Sequence, residues 1–195
     1  MAKIYTFHIV YEGCKNKIWR DIQISSTNTL AALGYCVLAS FDTMAYHLFY
    51  IKCKGIRYET GIDDFSEEPL LSEVKLSELS LQKGEKLEML YDYGCEQEFT
   101  IIVTDVLPMP KGSGRAYPKV IAGEGRGILD DMPSFELMEI IKKTDETGKT
   151  DFVITDEDGY EMVWDYRDYR LDCDQALIKG EVEAIRRGYE CPEDY

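Results

Sequence analysis

Imidazole is scarce in this sequence: His8 and His47 are the only two histidines among 195 residues, so any imidazole ligand or base is one of these two. Each sits in a strand-like run without an Asp, Glu or Cys at diagnostic spacing, and both are expected to be structural. The six cysteines, Cys14, Cys36, Cys53, Cys95, Cys173 and Cys191, form no C-x-x-C pair and stand beside no histidine at zinc spacing. The opening MAKIYTFHIVYEG lacks the apolar core of a signal peptide, so a cytoplasmic location with reduced thiols is the expectation. Only the stretch from Leu30 to Ile51 approaches the length of a membrane span, and Asp42 and His47 interrupt it. Positive charge is also in short supply. With 22 Lys+Arg against 37 Asp+Glu the net charge is -15, which repels phosphate and makes nucleic acid an unfavoured partner. No repeat and no low-complexity tract is present.

What the chain does hold is enough apolar material for a core: 45% hydrophobic residues, with 14 tyrosines, argue for one folded unit. Two strand-like runs, Lys3 to Tyr11 and Ile18 to Ile24, flank a turn at EGCKNK and read as a hairpin. Ser25, Ser26 and Asn28 offer helix caps before Leu30 to Phe41, where Leu30, Leu33, Val37 and Leu38 recur at helical spacing. Strands are expected around Lys54-Gly55, from Lys86 to Tyr93 and from Glu98 to Val106, with an acidic loop from Gly61 to Pro69. The order predicts an α+β fold: a β-grasp-like mixed sheet with one main crossing helix, followed by a long loop and C-terminal helices. Residues 1–106 would form the sheet and helix, and residues 107–195 would lie on the same structural unit. Leu107 to Gly127 reads as a long loop. Helices are expected from Pro133-Ser134 and from Asp172 or Asp174. Between them, FVITDEDGYEMVWDY fits either a hairpin turning at Asp158-Gly159 or a helix with Tyr160, Val163 and Trp164 on one face.

The glycine cluster GEGRG, Gly123 to Gly127, lacks the Lys-Ser/Thr pair of a phosphate loop, and Glu124 puts negative charge where a phosphate would sit. Asp156 and Asp158 fit part of a calcium loop, but Ile154 stands at its first position, so a polar turn is expected instead. Among the carboxylates, Asp92, Glu96, Glu98, Glu124, Asp130 and Asp131 lie around one hairpin and the segment after it. Such groups can share a proton or hold a divalent cation, the one cofactor the sequence leaves open.

LYDYGCEQEF (Leu90 to Phe99), AYPKVIAGEGRG (Ala116 to Gly127) and DDMPSFELMEII (Asp130 to Ile141) together resemble the plasmid pRiA-type ORF-three-like family, also labelled transposon passenger proteins. HLFYIKCKGIRY from His47 and WDYRDYRLDCDQALIKGEV extend the likeness in both directions. Tyr91, Asp92, Gly94, Tyr117, Pro118, Gly123 and Asp131 are the close matches. Cys95, Gln97, Phe99 and Val120 replace the family's Asp, Trp, His and Cys. The resemblance implies a mobile-element association without an assigned activity. On this reading the chain is a binding module for a protein or small ligand, with a groove formed by Tyr91, Asp92, Tyr93, Glu98, Tyr117, Glu124 and Asp131. The expectation is that Tyr117 packs beside the Tyr91 to Tyr93 strand. Two alternatives stand beside it: a metal-dependent hydrolase using Asp92, Glu98, Glu124 and Asp131, and a DNA-acting accessory using Lys111, Arg115, Lys119 and Arg126.

Overall fold

The computed structural model describes residues 1–14, 17–61, 68–155 and 159–191. Alternating side chains build its main sheet. Strand β1 (Lys3–Tyr11) turns Tyr5, Phe7, Ile9 and Tyr11 to one face, and its partner β2 (Trp19–Ser25) places Ile24, Ile22 and Arg20 opposite the first three. The period-two pattern that marks a half-buried strand therefore also sets the register. Two further hairpins follow the same rule, β3 (Phe49–Cys53) with β4 (Ile56–Glu59) and β5 (Lys86–Tyr91) with β6 (Gln97–Pro108).

Helix α1 (Leu30–Ser40) crosses the apolar face. Its cap is Thr29, one residue beyond those expected, whose hydroxyl accepts from the Ala32 amide at 3.1 Å. The helix is buried on most sides, because α3 (Leu171–Glu190) packs beside it: Tyr189 of α3 stacks on Tyr35 and meets Phe49 edge-on. Gly34 is required where α1 meets β3, since a Cβ there would fall 2.3 Å from the Phe49 ring.

Among the described residues the strand order is β4-β3-β5-β6-β1-β2-β7, with β7 at Lys119–Glu124, and every strand pairing is antiparallel. The architecture is thus α+β, with a large antiparallel sheet and, among the described residues, three α-helices. The mixed sheet expected of a β-grasp arrangement is not found: β6 returns beside β1 in the opposite direction, so the central pair is antiparallel. The expected loop from Leu107 to Gly127 contains β7, which extends the sheet beyond β2. Residues on both sides of position 106 therefore share one sheet.

Helix α2 (Ser134–Thr147) ends at Gly148, whose left-handed backbone (φ 71°) closes the helix. The ambiguous segment is a hairpin of β8 (Val153–Thr155) and β9 (Glu161–Val163), after which Trp164 is buried and bonded through its amide to the Phe152 carbonyl. Asp156, Asp158 and most of the acidic loop after Gly61 lie outside the described residues. Among the described residues, no helix is long and apolar enough to cross a membrane.

One buried cation fixes the far edge of the sheet. Arg20 is 0% exposed and donates to the carbonyls of Trp19, Ser40, Glu124 and Arg126, while its guanidinium lies 3.9 Å from the Tyr169 ring centre and 3.2 Å from Asp174. It ties β2, α1, β7 and the start of α3 together. The glycines of GEGRG serve this same junction. A Cβ on Gly125 would meet the Lys17 carbonyl at 2.2 Å, and one on Gly127 would meet the Phe41 carbonyl at 2.4 Å. They permit close backbone approach, which accounts for the cluster without a phosphate.

Candidate metal site beside an apolar cleft

Three segments distant in sequence meet at the end of β5. The strand ends at Tyr91, and Asp92 adopts a left-handed backbone (φ 56°) that starts the reversal into β6. Asp92 Oδ1 caps this turn, accepting from the amides of Gly94 at 3.0 Å and Cys95 at 3.3 Å. That explains why an aspartate occupies the position, since its short carboxylate reaches the amides two and three residues on. The other oxygen is different. Asp92 is 4% exposed, and Oδ2 has no hydrogen-bond partner among the described residues.

Opposite that oxygen stands His47, in the approach to β3. Its Nε2 lies 3.6 Å from Asp92 Oδ2 and 3.0 Å from Asp131 Oδ1. The ring is held between Tyr46 and Tyr91, at centre distances of 4.3 and 5.7 Å, and the Tyr189 hydroxyl donates to the His47 carbonyl. Asp131 comes from the segment before α2, also in the left-handed region (φ 58°), and its second oxygen accepts from the Tyr46 hydroxyl. That hydrogen bond, with His47 adding to it, holds the Asp131 carboxyl below its ordinary value and pushes the Tyr46 phenol up to about 12. Burial, then the neighbouring Asp92, raises the Cys95 thiol.

The three donors, one from each of His47, Asp92 and Asp131, all lie within 4.8 Å of one another. A tetrahedral zinc with ligands near 2.0–2.1 Å separates its donors by roughly 3.3 Å, and the two separations from His47 Nε2, 3.0 and 3.6 Å, bracket that figure. Asp92 is recessed, His47 half-buried and Asp131 exposed, so the site opens to solvent on the Asp131 side.

A cleft of about 650 Å³ adjoins it. Met44, Tyr46, Ile128, Leu129, Met132 and Trp164 supply much of its wall, and Asp130 lies where it approaches the site.

Of the residues the sequence singled out, the structure brings Tyr91, Asp92 and Asp131 together. Tyr93 and Glu98 point away: Tyr93 is 44% exposed and sits with Tyr50 and Arg57, and Glu98 lines a shallow polar surface with Glu88 and Lys52. Tyr117 and Glu124 belong to the opposite edge. Strand β7 is four strand spacings from β5, roughly 19 Å at about 4.8 Å per spacing, and Glu124 accepts there from the Trp19 indole. The groove expected between Tyr117 and Tyr91 is therefore not formed, because the segment after Leu107 pairs with β2 instead of folding back on β5.

His47, expected to be structural, is the residue that sequence reasoning missed. The signal was the HLFY stretch of the family likeness, because no local spacing connects position 47 to 92 or 131. His8 is a half-buried histidine on β1, paired with Asp21 at 2.6 Å and tilted against Trp19.

Comparison with known proteins agrees with this architecture. A solved structure, a protein of unknown function, MM3350, from Methanosarcina mazei Go1, superimposes with a TM-score of 0.64 at 21% identity, covering 87% of this chain and 98% of its own. At that identity the likeness speaks for the fold alone. No curated protein matches the chain. The sequence pattern of the plasmid pRiA4b ORF-3-like proteins does, over residues 3–172, and the chain belongs to that family.

Proposed function

We propose that the chain binds a divalent cation of the zinc class through His47, Asp92 and Asp131, and that this cation activates water for hydrolysis. The observation that carries the reading is the Asp92 carboxylate. One of its oxygens is spent on the turn, while the other is buried, accepts no hydrogen bond among the described residues and faces an imidazole nitrogen at 3.6 Å. An unpaired buried carboxylate oxygen costs several kcal/mol unless a cation or donor answers it, on the order of 1–3 for the hydrogen bond alone. A cation at this position answers it and neutralises Asp131 as well.

The donor set favours this metal class. One imidazole and two carboxylates suit zinc or its first-row neighbours, whereas an all-oxygen cage would suit calcium or magnesium. Three protein ligands on a solvent-facing site leave a fourth position for water, as in catalytic rather than closed structural centres. The hydrolase reading thus keeps Asp92 and Asp131 of the carboxylates first considered, drops Glu98 and Glu124, and gains His47.

Titration of metal-free protein with cobalt(II) tests it. The expected result is one equivalent bound, with the visible absorption of a four-coordinate ion, displaced by zinc and lost in Asp92→Asn. Absence of binding, or equal binding by wild type and Asp92→Asn, would sink the reading.

A further inference from the structure

The metal position and the apolar cleft share a wall. The Tyr46 ring lines the cleft while its hydroxyl is bonded to Asp131, and Asp130, one residue earlier, lines the same cleft. The charged groups on that lining are already answered. Asp130 Oδ1 accepts from the Tyr91 hydroxyl and Oδ2 from the Met44 amide, and Arg126 Nε lies 3.5 Å from Asp42 Oδ2. An anionic occupant would find Arg126 already paired, and the overall charge of -15 opposes an anion further, while a cation would have to compete with the hydrogen bonds already made to both Asp130 oxygens and with Arg126 for Asp42. What the lining offers freely is apolar surface, from Met44, Leu129, Met132, Phe152 and Trp164. Its volume of about 650 Å³ falls within the range of small-molecule sites.

We infer that this cleft holds the apolar body of a neutral small molecule, an aliphatic chain or single aromatic ring, whose oxygen donor reaches the metal position past Tyr46. The inference rests on the metal reading for its second half only. The cleft's preference for a neutral apolar body depends on its walls and can be measured without metal.

The first arm uses metal-free protein with labelled methionine methyl groups. Benzyl alcohol should shift the Met44 and Met132 signals, while benzoate and benzylamine at equal concentration should shift them several-fold less. If benzyl alcohol leaves them unmoved, or a charged analogue binds more tightly, the inference is wrong. The second arm uses zinc-loaded protein and straight-chain hydroxamates, whose head groups chelate the metal. Each added methylene should tighten binding about three- to fourfold, as burial of a CH₂ group requires. Met44→Glu, a change at an exposed position, should remove this length dependence. Equal affinity for acetohydroxamate and hexanohydroxamate overturns the link between cleft and metal. Failure of zinc itself to bind, with the benzyl alcohol result positive, overturns the metal reading and with it that link, and leaves the cleft assignment standing.

Discussion

Tyr91 and Asp130 are joined by a hydrogen bond of 2.5 Å from phenol to carboxylate, and the next residue in each strand of chain, Asp92 and Asp131, is a proposed ligand. One half-buried contact thus sets the spacing of two others. Tyr91→Phe is expected to keep the fold and lose roughly 10- to 100-fold in metal affinity, the usual effect of removing a group that orients a ligand. Calorimetric titration with zinc, beside a thermal melt of the same variant, checks this. Unchanged affinity would show that the ligands are placed independently of the bond.

Gly34 supports a prediction about packing. Alanine there would drive its methyl group into the Phe49 ring at 2.3 Å, and neither α1 nor β3 has free space to retreat into, both being buried at this point. Gly34→Ala should cost about 1–3 kcal/mol through overpacking, despite the better helix propensity of alanine. Urea unfolding followed by tyrosine and tryptophan fluorescence measures it. A stabilised variant would mean that the helix leaves room for a methyl group above the Phe49 ring.

At the far edge, Arg20 should be among the least replaceable residues of the chain. Its guanidinium satisfies four carbonyls and a carboxylate from separate elements, and Asp174 and those carbonyls would be left behind by Arg20→Met. The expected loss is about 3–5 kcal/mol, typical of breaking a buried pair by removing one partner. Lysine should not rescue it, because a single ammonium cannot reproduce the planar fork. Limited proteolysis should show α3 cut earlier in this variant. A melting temperature within a degree or two of wild type would contradict the role.

Acid stability should carry a contribution from Glu183 of α3. Hydrogen bonds from Arg186 and then Arg187 hold the Glu183 carboxyl at about 2, below its ordinary 4.5. Because the folded value is depressed, the unfolded chain binds the proton more readily. Its contribution is therefore complete above about pH 4.5 and disappears as the pH falls toward 2. The urea midpoint should drop across that window, and Glu183→Gln should make the drop shallower. The effect should be small, since all three side chains are substantially exposed and screened by solvent.

The sheet was legible in the sequence wherever alternation was strong. Lys3 to Tyr11 and Lys86 to Tyr93 show their buried faces directly, and Leu30 to Phe41 shows the change to helical spacing. Strand β7 was not legible, because it buries only Val120 among prolines and glycines, and its pairing with β2 is information held by β2. The carboxylates of the site were visible as candidates. Their grouping was not, since residues 47, 92 and 131 are collected by tertiary contacts and by two left-handed aspartates that no periodicity encodes. Once β7 is placed at the edge, Tyr117 and Glu124 leave the site for a geometric reason, not a chemical one.

The hydroxyl of Tyr189 donates to the carbonyl of His47, from the last turn of α3 to the residue that supplies the imidazole. Docking of that turn and capture of the proposed cation would then be two halves of one equilibrium. Whatever factor metal contributes to holding Tyr189 in place, a seated Tyr189 must return to metal affinity. Amide exchange in the final turns of α3 would accordingly slow when zinc is added, at a helix that contributes no ligand.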